Sequence, residues 1–437
     1  MISVFLKSIL PVLLFLFLSG CQPKVYLMPA PVGLIGNGQF FLLSEENIDE
    51  NLLYTLYATN RIPIKNSNDL TSYSILPSRK LELGFLAHRV GDASMNWEDL
   101  QRESLKQDRD KDLLLTQEFV RPMALFNEEV DLQQMSARAE GFFDTVNKAL
   151  RKTYDKDITV YVHGANSNFH RATAQGAQFF HFTGHNSIIL SFSWPSAENI
   201  FRYKTDVLHA KQTIPAFSRL LEILAIHTKA RNINIIAYSA GAQVVAPGLA
   251  YLHDLYPGLS SKELKKKLRI GEVYFAAPDT TLKSFVGRYL KFSNIVNRTT
   301  ITLNKNDRIL FLAALQNRKS SLGRPDVDEL DKSEIEQLIE VLDTVNLDVI
   351  DVGGSKALNL GRSHDYWYSN SWVSNDLLMV LIFNASPEER GLVRSRTEVG
   401  STLYYFPDNY DAILPYLLKE QKDKMQQYSP LKRTENR

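Results

Sequence analysis

Ser239 is the residue of this chain whose surroundings best suit a nucleophile. It lies in the stretch AYSAG, where an apolar run, INIIAY, gives way to the small-residue stretch SAGAQVVA. In a strand–turn–helix nucleophile elbow, the residues two before and two after the serine must be small because the turn is sharp. Ala237 and Gly241 meet this condition. The pattern predicts covalent catalysis by the serine hydroxyl; otherwise it is a small-residue helix start packed on a sheet.

A serine hydroxyl needs a general base within hydrogen-bond reach and a third group that orients the base. Behind an elbow of this kind, the acid and then the histidine follow the serine along the chain. Only His253 and His364 follow Ser239. His253 falls well along the predicted helix, about 21 Å from the serine at the usual helical rise. His364, in the polar and aromatic loop GRSHDYWYSN, is therefore the predicted base.

Two aspartates follow predicted strands between the serine and His364. The run TTITLNKND ends at Asp307, and the run EVYFAAPD ends at Asp279. Asp307 follows the second strand after that of the nucleophile, the position that most enzymes with this elbow use, and is the predicted acid. Asp279 follows the first such strand and stays the alternative. Either could instead be a turn aspartate that binds its own backbone.

Short β-rich runs alternate with helical stretches from residue 131 onwards. The runs are DITVYVHG, NSIILSFSWP, NINIIAYSAG, GEVYFAAPD and RTTITLNKND, and NLDVIDV looks like the last strand. Parallel neighbours need long crossover connections, so this order predicts an α/β fold with a doubly wound, mostly parallel sheet. Sites in such sheets lie at the carboxyl ends of the strands. Further along, Ser333 and Glu336 have capping-box spacing, which predicts a helix over 331–345 that either forms a lid or covers the sheet.

A series of motifs resembles a bacterial α/β-hydrolase family of unknown function, which is placed in the esterase and lipase superfamily. The motifs are LYATNR, VYVHGANSNF, SFSWPS, IIAYSAGAQ, FAAPD, NKNDRIL, SHDYW and PEERGLV, and they extend from about residue 50 to 410. The resemblance implies Ser239, Asp307 and His364 as the catalytic triad.

The same resemblance implies where a tetrahedral oxyanion would be held. In such enzymes one backbone N–H comes from the loop after an earlier strand, and another comes from the residue after the nucleophile. The sequence VYVHGANSN matches that strand and loop, so the predicted donors are Ala165 or Asn166, together with Ala240. His163, in the same motif, is expected to be structural.

The N-terminal residues predict export and lipid attachment. Residues 1–20 carry one charge, Lys7, and an apolar stretch too short to span a bilayer, which is typical of a signal peptide. They end in LSG before Cys21, the single cysteine of the chain, and this resembles the lipobox of bacterial lipoproteins. We therefore expect acyl chains on Cys21 and a periplasm-facing place in the cell envelope, with the outer membrane favoured.

The chain is accordingly divided into four segments. Residues 1–20 are the expected signal peptide, 21–40 a Pro- and Gly-rich tether, 41–420 the hydrolase domain and 421–437 a polar C-terminal tail.

Composition and charge limit the classes of partner and cofactor that we expect. A formal net charge of +1 gives no reason to expect nucleic acid. No metal or other cofactor is expected; His181 and His185 have helical spacing, but Gly184 between them favours a loop. The predicted function is a serine hydrolase that cleaves a small acyl ester. The alternatives are a non-catalytic envelope binding module with the same fold, or an acyltransferase.

Overall fold

One sheet runs through the described part of the protein. The computed structural model describes residues 24–35, 51–65, 71–106, 109–127, 135–153, 155–317, 319–329, 331–342, 346–355, 358, 360, 363–396 and 402–428. Its strands are Val25–Tyr26 (β1), Leu52–Lys65 (β2), Thr71–Val90 (β3), Leu114–Asn127 (β4), Ile158–Val162 (β5), Ile188–Ser193 (β6), Ile233–Tyr238 (β7), Ile270–Ala276 (β8), Val296–Leu303 (β9), Leu347–Asp351 (β10), Val393–Arg396 (β11) and Thr402–Tyr405 (β12).

Helices connect most of these strands. They are Trp97–Leu105 (α1), Ala137–Lys152 (α2), Phe169–Phe182 (α3), Tyr203–His227 (α4), Ala242–Asp254 (α5), Ser261–Leu268 (α6), Leu282–Phe292 (α7), Arg308–Asn317 (α8), Lys332–Leu342 (α9), Tyr366–Ser369 (α10), Ser371–Phe383 (α11) and Tyr410–Tyr428 (α12). Short 3-10 turns cover Val32–Leu34, Ile200–Arg202, Ser239–Gly241 and Val327–Glu329.

The sheet is parallel in its centre and antiparallel at its edges. The strand order is β1-β4-β3-β2-β6-β5-β7-β8-β9-β10-β12-β11. Neighbours from β2 through β12 pair in parallel, whereas β1, β4 and β3 at one edge and β11 at the other pair antiparallel. Every residue of β5 and of β8 is buried, as expected for strands that are covered on both faces. The predicted α/β fold with a mostly parallel sheet is confirmed.

Two apolar clusters lie on the two faces of the sheet. Val160 and Val162 of β5 belong to one cluster, with residues of α2, α4, α5 and α7. Tyr161, between them, belongs to the other cluster, with residues of α3, α11 and α12. Successive strand residues point to opposite faces, so a single short strand anchors both helical layers.

The tether interpretation is wrong for the described residues 24–35. β1 pairs with β4, and the Leu27, Met28, Ala30 and Leu34 side chains are buried in the cluster of α3, α11 and α12. Arg109 fixes the segment further by donating to the carbonyls of Leu27 and Met28, at 2.7 and 2.8 Å. Pro and Gly suggested flexibility here, but the apolar residues between them pack on the body of the protein. Residues 1–23, with the expected signal peptide and Cys21, lie outside the described residues.

The expected C-terminal boundary falls inside a helix. α12 runs through residue 428, and Leu418 and Gln421 are buried, so at least the first part of the segment taken as a polar tail belongs to the fold. The remaining residues, 429–437, lie outside the described residues.

Two further expectations need correction. β10 is not the last strand, because β12 pairs parallel to it and β11 follows at the edge. His181 lies in the last turn of α3 rather than in a loop, and its Nε2 is 2.8 Å from Ser104 Oγ.

The predicted helix over 331–345 is present as α9. It packs on α7 and buries Val341 in the core, so it covers the sheet rather than forming a lid.

Among the described residues, none of the helices combines the length and the apolar composition that crossing a bilayer requires.

The packed N-terminal segment gives a stability prediction. Leu34 is 3% exposed, whereas Leu125 on β4 is 54% exposed. Leu34→Ala should lower the free energy of unfolding by about 2–5 kcal/mol, because it leaves a cavity in the core. Leu125→Ala, the matched control, should cost less than about 1 kcal/mol. Urea denaturation measures both, and equal small losses would mean that residues 24–35 are a loose tether after all.

Candidate active site

Ser239 stands on a strained turn between β7 and α5. Its φ angle is 51°, in the left-handed region that side chains other than glycine rarely adopt. The turn also brings two backbones together, since a Cβ on Gly241 would lie 2.6 Å from the Val162 carbonyl oxygen at the end of β5. Ala237 is fully buried beside Val162 in the sheet register. The small residues of AYSAG are therefore required by close packing.

The structure brings His364 between Ser239 and Asp307. His364 Nε2 lies 2.9 Å from Ser239 Oγ, and His364 Nδ1 lies 2.7 Å from Asp307 Oδ2. The Asp307 side chain is fully buried, and that of His364 is 10% exposed. These distances suit a nucleophile, a general base and a carboxylate that orients the base.

The second oxygen of Asp307 fixes the carboxylate. Oδ1 accepts a hydrogen bond of 3.0 Å from the N–H of Leu310, in the first turn of α8. A carboxylate that caps a helix in this way has little freedom to rotate, and it also faces the positive end of the helix dipole. Asp307 is thus oriented before it meets the imidazole.

Asp279, the alternative acid, has other partners. Tyr203 donates to its Oδ2 at 2.6 Å, and Ser321 donates to its Oδ1 at 2.8 Å. Burial raises the pKa of this carboxyl, and the two hydroxyl donors oppose the rise. Its backbone N–H donates to the Ser239 carbonyl at 3.0 Å. The backbone of Asp279 therefore supports the turn that holds Ser239, its carboxylate is occupied by two hydroxyl groups, and the histidine contact belongs to Asp307.

The three predicted oxyanion donors are not equivalent. Asn166 N–H points to Asp206 Oδ2, although the distance of 3.4 Å is long. Ala165 and Asn166 both line the cavity that contains Ser239. Ala240 follows Ser239 in the 3-10 turn at the start of α5. Because the Asn166 N–H has a carboxylate partner, Ala165 is the better candidate to act with Ala240.

A buried arginine holds the loop that follows β5, and no role was predicted for it. Arg61 donates from Nη2 to the Ser167 carbonyl at 2.8 Å, from Nη1 to the Ser196 carbonyl at 3.2 Å and from Nε to Ser193 Oγ at 3.0 Å. Ser196 Oγ also donates to the Ser167 carbonyl, at 2.8 Å. Burial lowers the pKa of Arg61 to about 9. Because this value is still above neutral pH, the side chain stays charged. The sequence signal was the arginine at the end of the LYATNR strand.

His163 has the structural position that was expected. Its ring stacks on Trp194 with centroids 5.1 Å apart, and its carbonyl accepts the Trp194 Nε1–H at 2.7 Å. Burial lowers its pKa to about 3, so the ring is neutral.

A cavity of about 340 Å³ opens at Ser239 and His364. Its apolar wall comes from α8, through Ile309, Leu312 and Ala313. Other lining side chains are polar or aromatic: Arg171, Gln175, Tyr203, Tyr238, Asp279, Asp365 and Tyr368. This volume is within the range of small-molecule sites, and one apolar wall beside a nucleophile suits a substrate with a hydrocarbon part.

The strain at Ser239 can be measured. Ser239→Gly should raise the free energy of unfolding by about 1 kcal/mol relative to Ser239→Ala, because glycine adopts a φ of 51° without a Cβ clash. Ala242→Gly, three residues after Ser239 at a φ of −61°, is the control and should lower stability by about 1 kcal/mol. Chemical denaturation of the three variants is the measurement; equal stability of the glycine and alanine variants at 239 would show that the turn is unstrained.

Comparisons with known proteins give three similarities. An uncharacterized protein, alr1448, of Nostoc sp. (strain PCC 7120 / SAG 25.82 / UTEX 2576) is 28% identical over 187 residues, which are 36% of this chain and 46% of that protein. The chain thus spans less than half of that relative. A solved structure, titled as a lipase-esterase related protein from Clostridium acetobutylicum ATCC 824, covers 62% of this chain and 94% of its own, with 11% identity. Its TM-score is 0.23.

The third similarity is to a family described as alpha/beta hydrolase of unknown function (DUF900), which matches residues 139–380. The matched region runs from α2 to α11 and includes Ser239, Asp307 and His364. Because it makes up more than half of the chain, this protein belongs to that α/β-hydrolase family.

Proposed function

We propose that this protein is a serine hydrolase that cleaves carboxylic esters, with Ser239 as nucleophile, His364 as general base and acid, and Asp307 as the orienting carboxylate. The observation that carries the proposal is the hydrogen-bonded series from Ser239 Oγ through both ring nitrogens of His364 to Asp307. The series opens into a cavity that can hold a small ester.

In the first half-reaction, Ser239 Oγ attacks the ester carbonyl carbon while its proton passes to His364 Nε2. The tetrahedral intermediate then collapses as the ester C–O bond breaks, and the protonated imidazole donates that proton to the departing alcohol. Water repeats the sequence on the acyl-enzyme, which releases the carboxylic acid and restores the serine. Asp307 keeps the Nδ1–H of the imidazole directed at itself and stabilises the imidazolium that forms transiently.

The negative charge on the intermediate requires donors that are already in place. The backbone N–H groups of Ala240 and Ala165 are the proposed pair. Ala240 is held by the 3-10 turn after β7. Ala165 belongs to the loop that Arg61 and Ser196 attach to β6 through Ser167. A small shift of that loop would misplace the donor, so Arg61 acts as a positioning residue.

The hydrocarbon part of the ester is proposed to lie against α8. Ile309 and Leu312 line the cavity and are half exposed, which leaves apolar surface without a protein partner beside the nucleophile. Covering that surface with an acyl chain would remove it from water and favour binding.

A cell-envelope location remains part of the proposal. It rests on the lipobox-like sequence that ends at Cys21. Acyl chains on that cysteine would hold the hydrolase at the membrane surface, with periplasm-facing attachment to the outer membrane favoured.

A test of the triad uses two aspartate variants with the same chemical change. Ser239→Ala should abolish covalent labelling by a fluorophosphonate probe and hydrolysis of 4-nitrophenyl butanoate. Asp307→Asn should lower kcat at least about 1000-fold, because the imidazole loses its orienting charge. Asp279→Asn should keep kcat within about tenfold, because Asp279 contacts hydroxyl groups rather than the histidine.

The rates are measured on variants whose unfolding midpoints match the wild-type protein. If Asp279→Asn lowers kcat more than Asp307→Asn does, the proposed assignment of Asp307 as the acid is wrong. If the folded wild-type protein neither reacts with the probe nor hydrolyses esters, the hydrolase proposal is wrong and the alternative, a non-catalytic binding module with this fold, is favoured.

Lipid attachment is tested in a bacterial host that is fed a labelled fatty acid. The wild-type chain should incorporate label and stay in the membrane fraction after a high-salt wash, whereas Cys21→Ser should incorporate none. Gln22→Ala, next to the cysteine, should still be labelled. Equal labelling of the Cys21→Ser chain would contradict acylation at this residue.

A further inference from the structure

Arg171 places a positive charge in the wall of the cavity that contains Ser239. It lies in the first turn of α3, one helical turn before Gln175, and both residues line the cavity. The start of that helix is fixed, because Asn168 Oδ1 accepts the Arg171 N–H at 2.7 Å. The arginine is half-buried and stands on a rigid element.

The guanidinium reaches the cavity on the side of the catalytic histidine. Burial raises the pKa of the cavity residue Tyr368, Asp365 raises it further and the nearby charge of Arg171 lowers it, so the guanidinium lies close to Tyr368. The Tyr238 ring lies between, with its centroid 6.4 Å from that of Tyr368 and 5.3 Å from that of His364. An anion held by Arg171 would therefore be close to the reacting ester.

Arg171 differs from the other interior arginines in its partners. Arg61 donates to carbonyls and a serine hydroxyl, and Arg390 contacts both carboxylate oxygens of Asp376, at 3.0 and 2.8 Å. Within the described residues, Arg171 forms no ion pair with a carboxylate. A guanidinium carries five N–H donors, so most of its donor capacity is available to a ligand.

Nearby acids do not supply the missing partner. Asp365 Oδ1 accepts a hydrogen bond of 2.6 Å from Ser363 Oγ, and in the part of the chain that the structure describes Asp365 forms no ion pair with Arg171. Burial raises the pKa of Glu198, and the nearby charges of Arg61 and Arg171 oppose that rise. Among the described residues, Glu198 forms no ion pair with Arg171.

Exposed cations flank the cavity on two segments. Arg202 and Lys204 lie on either side of the cavity residue Tyr203, and Lys305 and Arg308 precede the cavity residue Ile309. These four side chains are exposed. Cations at the rim raise the local concentration of an anionic substrate, while Asp279 and Asp365 are the acidic residues that line the cavity itself.

We propose that Arg171 is a specificity-determining residue, and that the natural substrate is an ester with both an apolar part and an anionic group, a carboxylate or a phosphate, that Arg171 binds. This inference rests on the proposed ester hydrolase function and extends it to a substrate class. Arginine suits the task because its planar fork matches the two oxygens of either anion.

Matched ester pairs test the preference. On the alcohol side, 4-(butanoyloxy)benzoate is compared with 4-(butanoyloxy)benzamide; on the acyl side, the 4-nitrophenyl monoester of glutarate is compared with that of glutaramate. In the wild-type protein the anion-to-amide ratio of kcat/KM should be about 10 to 100 in at least one pair, as for a charged hydrogen bond. Arg171→Gln should reduce that ratio to about 1, and Arg171→Lys should leave an intermediate ratio.

The control is Arg202→Gln, which removes an exposed cation that does not line the cavity and should keep most of the preference. Ratios near or below 1 in both pairs for the wild type, or a preference that survives Arg171→Gln, would overturn the proposal. Unfolding midpoints are compared first, and the lysine variant keeps the test decisive if the glutamine variant does not fold.

A binding measurement separates this inference from the proposed function. Titration calorimetry with glutarate and with inorganic phosphate needs no turnover. Binding of either ion that weakens at least about tenfold in Arg171→Gln supports the anion site even if no ester is cleaved. If esters are cleaved but neither ion binds through Arg171 and no ratio exceeds 1, the hydrolase proposal stands and the anion site is wrong.

Discussion

The turn between β7 and α5 exists because two glycines remove the Cβ atoms that would collide there. A Cβ on Gly241 would lie 2.6 Å from the Val162 carbonyl oxygen, and one on Gly164 would lie 2.9 Å from Ser239 Cβ. Both contacts join the end of β5 and the residues just after it to the turn after β7, so the close packing of these two segments confines the serine. The left-handed φ of Ser239 is the cost of that confinement, and the parallel pairing of β5 with β7 sustains it.

Two buried aspartates make different contacts around this turn. Asp307 caps α8 with one oxygen and faces His364 with the other, whereas Asp279 is held by two hydroxyl groups and binds the Ser239 carbonyl through its own N–H. Both aspartates follow the carboxyl ends of neighbouring parallel strands, β8 and β9, which is why their surroundings in the sequence are similar. What distinguishes them is one strand spacing, about 4.8 Å, enough to decide which carboxylate meets the imidazole.

Burial distinguishes three core histidines of this protein from His364. Burial lowers the pKa of His88 and His163 to about 3 and that of His185 to about 4, so these rings are neutral packing groups. His364 instead has a carboxylate at one nitrogen and an open cavity with a hydroxyl at the other. A histidine ring here is therefore a packing group where burial keeps it neutral, and a candidate base where a carboxylate and the Ser239 hydroxyl lie at its two nitrogens.

The sequence determined the local features: the small residues around Ser239, the alternation of strands and helices, and the short set of histidines and aspartates that follow the serine. Those features depend on neighbours along the chain, so they can be predicted without coordinates. Long-range contacts decided the rest. Residues 24–35 pack on the body, Arg61 holds the loop after β5, and Asp307 rather than Asp279 meets His364. Each of these outcomes joins segments far apart in the chain, and only the three-dimensional packing of the sheet and its helices fixes such distances.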